Sequence, residues 1–311
     1  MKTSISILLA AAALTVSNIQ TSQAQYNNEL GFSLGGSNYL GDIGGKEKTA
    51  RRFVADMKLN QTNLMGGIYA RHKFNGYYSI KGALNIGKIS GDDQLSENTG
   101  RNTRNLRFKN NIKELTFLNE LHIFELADVG SRGTYQFDMQ GYVFAGVNVF
   151  HHNPKGRIDG QATWYELKPL QTEGMNYSNW GIGIPAGVGI NVTYRRQHKF
   201  GWDLTWTTTF TDYLDDISST YLDDSQLDSQ LARRLANQSD LSDQSNNPSI
   251  IESFKPGSKR GESSYDDSYL FSSISYGYIF RSMGDINIPK ISESQKSKAK
   301  FGNGRTKRYV F

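Results

Sequence analysis

The stretch that decides the fold is Trp180-Gly181-Ile182-Gly183-Ile184-Pro185-Ala186-Gly187-Val188-Gly189-Ile190-Asn191-Val192-Thr193-Tyr194. Its even-numbered residues are apolar, and its odd-numbered residues are glycine, proline, asparagine or threonine. Strict alternation over this length specifies a strand whose two faces meet different environments. Tyr77–Ile89 repeats the scheme, with Ile80, Leu84 and Ile86 opposing Ser79, Lys81 and Asn85. In Phe200–Asp212, Phe200, Trp202, Leu204, Trp206 and Phe210 oppose Gly201, Asp203, Thr205, Thr207 and Thr209.

Working outward, five more segments alternate in the same way: Glu29–Tyr39, Leu64–Lys73, Ile112–Glu125, Gln136–Phe150 and Tyr269–Arg281. The second face is small or polar, with carboxylates such as Glu114, Glu120, Asp138 and Asp203. A soluble sandwich would send that face to water and bury the apolar ones. A membrane barrel does the reverse: lipid takes the apolar face, and the narrow interior is filled by the small and polar side chains.

The connections discriminate. Phe74-Asn75-Gly76, Arg195–Lys199 and Leu126–Tyr135 are short, and Asn-Gly is a hairpin signal. Leu40–Asn63, Ser90–Asn111, His151–Asn179 and Tyr213–Ser268 are long, and short alternates with long throughout. That is the asymmetry of an outer-membrane barrel with periplasmic turns and extracellular loops. The expected fold is therefore an all-β, eight-stranded antiparallel transmembrane barrel with both termini in the periplasm. Aromatics near strand ends, among them Tyr39, Tyr77, Tyr78, Trp180, Tyr194, Phe200, Phe210, Tyr278 and Phe280, are expected to form interfacial girdles.

The barrel is expected over residues 25–281. Residues 1–24 read as a signal peptide, with Lys2, an apolar run from Ile5 to Val16 and small residues before Gln25. That run is too short to span a bilayer as a helix. Residues 282–311 form a basic tail with seven basic and two acidic residues, which accounts for the whole net charge of +5. The 311 residues include no cysteine, which removes disulfides, thiolate metal sites and a cysteine nucleophile.

No catalytic constellation is visible. Only His151 and His152 fall at the extracellular end, and neither has an evident Ser or Asp partner, so surface histidines are expected. Asp215-Asp216 with Asp223-Asp224, and Asp92-Asp93, offer hard ligands for Ca²⁺ but lack the EF-hand spacing; solvated acidic loops are expected. Gly35-Gly36 and Gly44-Gly45 lack the Lys-Ser/Thr of a phosphate loop. No cofactor, metal or nucleic-acid partner is expected. Leu227, Leu231 and Leu235 are spaced four apart, leaving a short surface helix and a mobile polar loop both open.

The charged turn and tail are the expected contact surface for a periplasmic partner. They comprise Arg195, Arg196 and Lys199 in the turn, and Lys298, Lys300, Arg305, Lys307, Arg308, Tyr309 and Phe311 in the tail. Arg and Tyr are favoured anchors at interfaces.

Six motifs occur in order: Leu34-Gly35-Gly36-Ser37-Asn38-Tyr39-Leu40-Gly41-Asp42, Gly87-Lys88-Ile89-Ser90-Gly91-Asp92-Asp93, Phe108-Lys109-Asn110-Asn111-Ile112-Lys113-Glu114-Leu115, Tyr165-Glu166-Leu167-Lys168-Pro169-Leu170-Gln171-Thr172-Glu173-Gly174, Ile184-Pro185-Ala186-Gly187-Val188-Gly189 and Thr209-Phe210-Thr211-Asp212-Tyr213-Leu214-Asp215-Asp216-Ile217-Ser218. Together they resemble the PorG-like family of outer-membrane barrels from the Bacteroidota type IX secretion and gliding system, over about Leu30 to Arg281. The resemblance implies an accessory outer-membrane component associated with a periplasmic ring of the lipoprotein PorK and its partner PorN. It implies no catalytic residues. An eight-stranded interior is too narrow to pass a folded protein, so an anchor rather than a conduit is expected.

Overall fold

A computed structural model describes residues 28–43, 59–127, 137–242 and 247–280. The expected signal peptide and basic tail lie outside the described residues.

Eight long strands form the wall: β1 (Asn28–Leu40), β2 (Asn63–Lys73), β3 (Tyr78–Asp92), β4 (Arg107–Leu126), β5 (Phe137–His151), β8 (Trp180–Tyr194), β9 (His198–Thr209) and β10 (Ser268–Phe280). Each pairs antiparallel with its neighbours in chain order. β1 then pairs with β10 from Asn28↔Phe280 to Leu40↔Ser268, closing the ring. Closure leaves none of the eight strands with an unpaired edge, the condition for β-structure in lipid.

The alternation predicted along Trp180–Tyr194 is realised. Ile182, Ile184, Val188 and Ile190 are exposed, while Gly183, Pro185 and Gly189 face inward. The inward glycines make room for rings from the neighbouring strand. A Cβ at Gly181 would meet the Phe150 ring, and one at Gly189 would meet Tyr142 and Asp203. Exposed apolar residues continue around the wall through Leu64 (85% exposed), Ile68, Leu84, Phe117, Val147, Trp202 and Ile274 (70%). A water-soluble protein does not expose such a continuous belt; lipid is its physical solvent. Along β4, Leu115 to Leu126 spans roughly 28 Å of height at about 3.3 Å per residue and a tilt of about 40°.

At the short-turn end, Phe137 stacks on Tyr194 with centroids 4.9 Å apart, and Tyr276 contacts Phe32 and Phe200. The Asn75 carboxamide closes its turn by accepting from the Tyr77 and Tyr78 amides, each at 2.9 Å. Two expected girdle residues are corrected: Tyr39 and Phe280 are buried, at 9% and 3% exposure.

The long-loop end is built up rather than open. β3 and β4 continue beyond the expected strand ends as a paired ladder to Asp92↔Arg107. The third loop folds back as two short strands, β6 (Lys155–Arg157) and β7 (Trp164–Glu166), with β6 pairing onto β4. Among the described residues, three short α-helices complete it: α1 (Thr99–Arg104), α2 (Gln230–Ala236) and α3 (Pro248–Glu252). Ser229 caps α2 by accepting from the Ala232 amide, and Leu235 is buried against Ile158 and Leu167 with Leu231 beside it. Of the two readings of the leucine spacing, the helix is the one present.

Candidate functional site

The lumen is lined by polar and charged side chains from the inward faces of the strands. Nearer the turn end it contains three cations and three carboxylates drawn from strands around the wall. Arg71 on β2 lies 3.0 Å from Glu29 on β1 and 2.8 Å from Glu120 on β4. Lys199 on β9 reaches Glu29 at 2.8 Å, and Lys81 on β3 reaches Asp203 on β9 at 2.8 Å. Tyr142 on β5 donates to Asp203, and Tyr69 donates to Glu29 at 2.6 Å. The Arg71 guanidinium also lies 5.4 Å from the centroids of both tyrosine rings. The side chains of Arg71, Glu29 and Glu120 are at most 3% exposed. Buried charge is tolerated only when paired and hydrogen-bonded, and here each charge meets its opposite, on the adjacent strand for Arg71 and Glu29 and across the lumen for Lys81 and Asp203.

Above this layer Glu114 accepts from Asn85, Thr116, Asn148 and Tyr269. An apolar layer follows, in which Leu214 and Ile217 of the last loop descend among Tyr39, Ile89, Phe108, Ile112, Phe150 and Tyr269. The loop thereby stoppers the barrel with side chains that are 0% and 1% exposed.

The cap over the stopper is held by two buried arginines. Arg104 donates to Asp93 at 2.7 and 3.1 Å and to the carbonyls of Asp42 and Arg260. Arg260 donates to Glu173 at 2.8 Å and to the carbonyls of Asp216 and Ala236. Each guanidinium joins loops that are far apart in sequence, using the planar donor fork that suits it to this role. Asp216 accepts from Thr172 at 2.5 Å and from Tyr177 at 2.6 Å.

The solvated acidic loops expected at Asp92-Asp93 and Asp215-Asp216 are thus corrected in part. Asp93, Asp215 and Asp216 are buried, whereas Asp223 and Asp224 are exposed. The Tyr39 hydroxyl lies 2.7 Å from Asp215 and 2.5 Å from Asp267. One hydroxyl hydrogen serves one carboxylate at a time, so the second bond needs a proton on a carboxyl group. Burial raises both aspartates well above the ordinary carboxylate range, helped by the Asp42 charge at Asp215 and by the Asp215 charge at Asp267. Burial also pushes Asp212 up to about 7 and Asp216 up to about 6.

Of the expected contact residues, Arg195 and Arg196 are exposed at the β8–β9 turn, at φ of 49° and 61°. Lys199 is corrected. It shares the inward face of β9 with Asp203 and is consumed by Glu29, because one step along a strand moves a side chain to the other face. Lys298, Lys300, Arg305, Lys307, Arg308, Tyr309 and Phe311 lie outside the described residues. His151 packs on Trp180 with centroids 5.2 Å apart, and His152 is buried beside Phe150 and Tyr177. Burial pushes His152 down to about 4. Neither histidine has a serine hydroxyl or carboxylate as hydrogen-bond partner among the described residues. The features missed from sequence are Arg71 and Lys81, which the inward parity of β2 and β3 signals, and Arg104 and Arg260, whose partners no local pattern reveals.

Among solved structures, the N-terminal β-barrel domain of Pseudomonas aeruginosa OprF is 10% identical. It aligns over 83% of this chain and 100% of its own at a TM-score of 0.33. Ail, the attachment invasion locus protein of Yersinia pestis, is 10% identical over 82% of this chain and 99% of its own, with a TM-score of 0.34. A major outer membrane protein from Thermus thermophilus is 11% identical over 81% and 99%, at a TM-score of 0.32. The barrel assignment rests on the chain's own strand pairing. No curated protein matches the chain significantly. The model of one family matches residues 7–233, most of the chain, and the protein is accordingly a member of the family described as Domain of unknown function (DUF6089).

Proposed function

We propose that this chain is a non-enzymatic outer-membrane anchor of a type IX protein secretion machinery, holding a periplasmic ring of a PorK-like lipoprotein and a PorN-like subunit against the membrane. The observation that carries the anchor reading is the filled lumen, with its ion-paired layer at the turn end and the Leu214–Ile217 stopper at the loop end. A barrel blocked in this way serves as a rigid post. The six motifs resembling the PorG-like family support the secretion role. Five of them meet at the loop end, contributing Tyr39, Asp93, Phe108, Glu173, Asp215 and Asp216 to the stopper and cap. The short turns and both termini face the periplasm in this reading, and Arg195, Arg196 and the tail make the ring contact. Several weak contacts on one rigid body add through effective concentration.

A second reading, a structural or adhesion barrel, is favoured by the loop cap itself, which presents an ordered surface at the opposite end. Purification from native outer membranes separates the two. The comparison is between the intact chain, a chain ending at Ser282, and an Arg195→Ser/Arg196→Ser variant. Ring lipoprotein recovered with the intact chain and lost with the truncation or the turn variant is the expected result. If no version recovers a ring component, the secretion role is wrong.

A further inference from the structure

The outward face of β3, β4, β6 and β7 changes character where the apolar belt ends. On β4 the outward residues run Leu121, Asn119, Phe117, Leu115 and then Lys113, Asn111, Lys109. On β3 they run Leu84, Ile86 and then Lys88. Lys88 lies opposite Asn111, diagonal to both β4 lysines, and Lys109 lies opposite Lys155. Like charges directly opposite each other on a sheet destabilise it unless something neutralises them. Lys155 has Glu166, at 3.0 Å. Lys109 has only the Trp164 ring, with its Nζ 4.3 Å from the centroid, and Arg157 lies 5.1 Å from the same ring.

The charged groups that act on Lys109 are Lys88, Lys155 and Arg157, all cations. Among the described residues, Lys88, Lys109, Lys113 and Arg157 make no ion pair, and the buried Arg157 Nε has no hydrogen-bond partner. The other nearby carboxylates, Asp92 and Asp159, are engaged by Arg107 at 3.1 and 3.4 Å. The cluster is therefore a strongly positive patch on the outer wall. Its height identifies its counterpart. Lys113 is the first outward residue past Leu115, and Lys109 stands four residues further, roughly 10 Å higher for a tilted strand. A phospholipid headgroup layer is about 5–8 Å deep beyond the hydrocarbon, so Lys113 and Lys88 fall within it and Lys109 stands above it, at the height of a headgroup extended by sugars.

We infer that Lys88, Lys109, Lys113 and Arg157, with the Trp164 ring against two of them, bind the phosphate groups of a phosphorylated membrane glycolipid packed against the barrel wall. Its acyl chains lie on the Leu84, Ile86, Leu115 and Phe117 surface directly below. Trp164 suits the boundary, having an apolar ring and a polar edge. The inference rests on the membrane placement of the barrel and not on the secretion role, which the ring purification tests separately.

The test uses the full mature chain in detergent, titrated with bis-phosphorylated lipid A, with the same lipid dephosphorylated, and with inorganic pyrophosphate. A Lys88→Gln/Lys109→Gln/Lys113→Gln variant is compared, and a Lys73→Gln variant serves as control at the other end. Phosphorylated lipid should bind the native chain and the control alike. Affinity of the triple variant should fall roughly tenfold or more, since charge-assisted hydrogen bonds are what it loses. Equal binding of the dephosphorylated lipid, or unchanged affinity in the triple variant, overturns the inference. Pyrophosphate binding as tightly as the lipid would assign the patch to a soluble anion and overturn it too. If the triple variant does not show the heat-shifted gel mobility of a folded barrel, Lys88→Gln and Lys113→Gln singly replace it. Both are exposed, and each should weaken lipid binding several-fold; no change in either is the contrary result.

Discussion

Arg71 is the residue on which the lumen layer turns. Its guanidinium pairs with both Glu29 and Glu120, and it lies against Tyr69 and Tyr142 as well. Removing one partner of a buried ion pair leaves the other charge uncompensated, at a cost of about 3–5 kcal/mol. Arg71→Ala should therefore lower the unfolding midpoint in detergent markedly, whereas Arg71→Ala combined with Glu120→Gln, which leaves Glu29 paired with Lys199, should recover much of the loss. Equal midpoints for native and Arg71→Ala would show that the layer is not ion-paired as described. This residue was partly legible: Tyr69 and Arg71 alternate on the inward face of β2, and Lys199 shares a parity with Asp203 on β9. The same parity argues against reading Lys199 as an outer-surface charge in a short turn.

At the scale of elements, the strands were legible and the cap was not. Each wall strand carries its own period-two signal, so boundaries fall within a few residues except where β3 and β4 run on as a ladder. β6 and β7 are three residues each, too short for a period to register. The cap is invisible locally because its contacts are distant. Tyr39 meets Asp215 across 176 residues, and Arg260 meets Glu173 across 87. A run of aspartates read alone looks solvated; only the fold puts it under a hydroxyl and beside an arginine.

The cap also has a pH dependence of definite sign. Asp212 and Asp216 have folded values raised to about 7 and about 6 from an ordinary value of 3.8, with burial the first cause. A raised carboxyl stabilises the folded cap fully below its unfolded value, and that contribution is lost as pH rises through the folded one. Hydrogen exchange of the loop from Asp212 to Asp267, corrected for the intrinsic pH dependence of exchange, should therefore lose protection between about pH 4 and pH 8. Asp212→Asn should flatten the upper part of that change. A cap that tightens as pH increases would contradict this arrangement of carboxyls.

On the scale of the whole molecule, the barrel separates two tasks. The wall meets lipid through its apolar belt, and the interior holds a layer of charge pairs, a hydrogen-bonded carboxylate and an apolar stopper. An anchor needs both properties and a conduit tolerates neither layer of filling. The most direct measurement is conductance of the purified full-length chain in a planar lipid bilayer, with gel mobility used to confirm that it is folded. A sealed barrel predicts no stable conductance steps above the bare membrane. Steady open steps carried by the folded native protein would mean that the lumen is not closed, and the anchor account would fail with it.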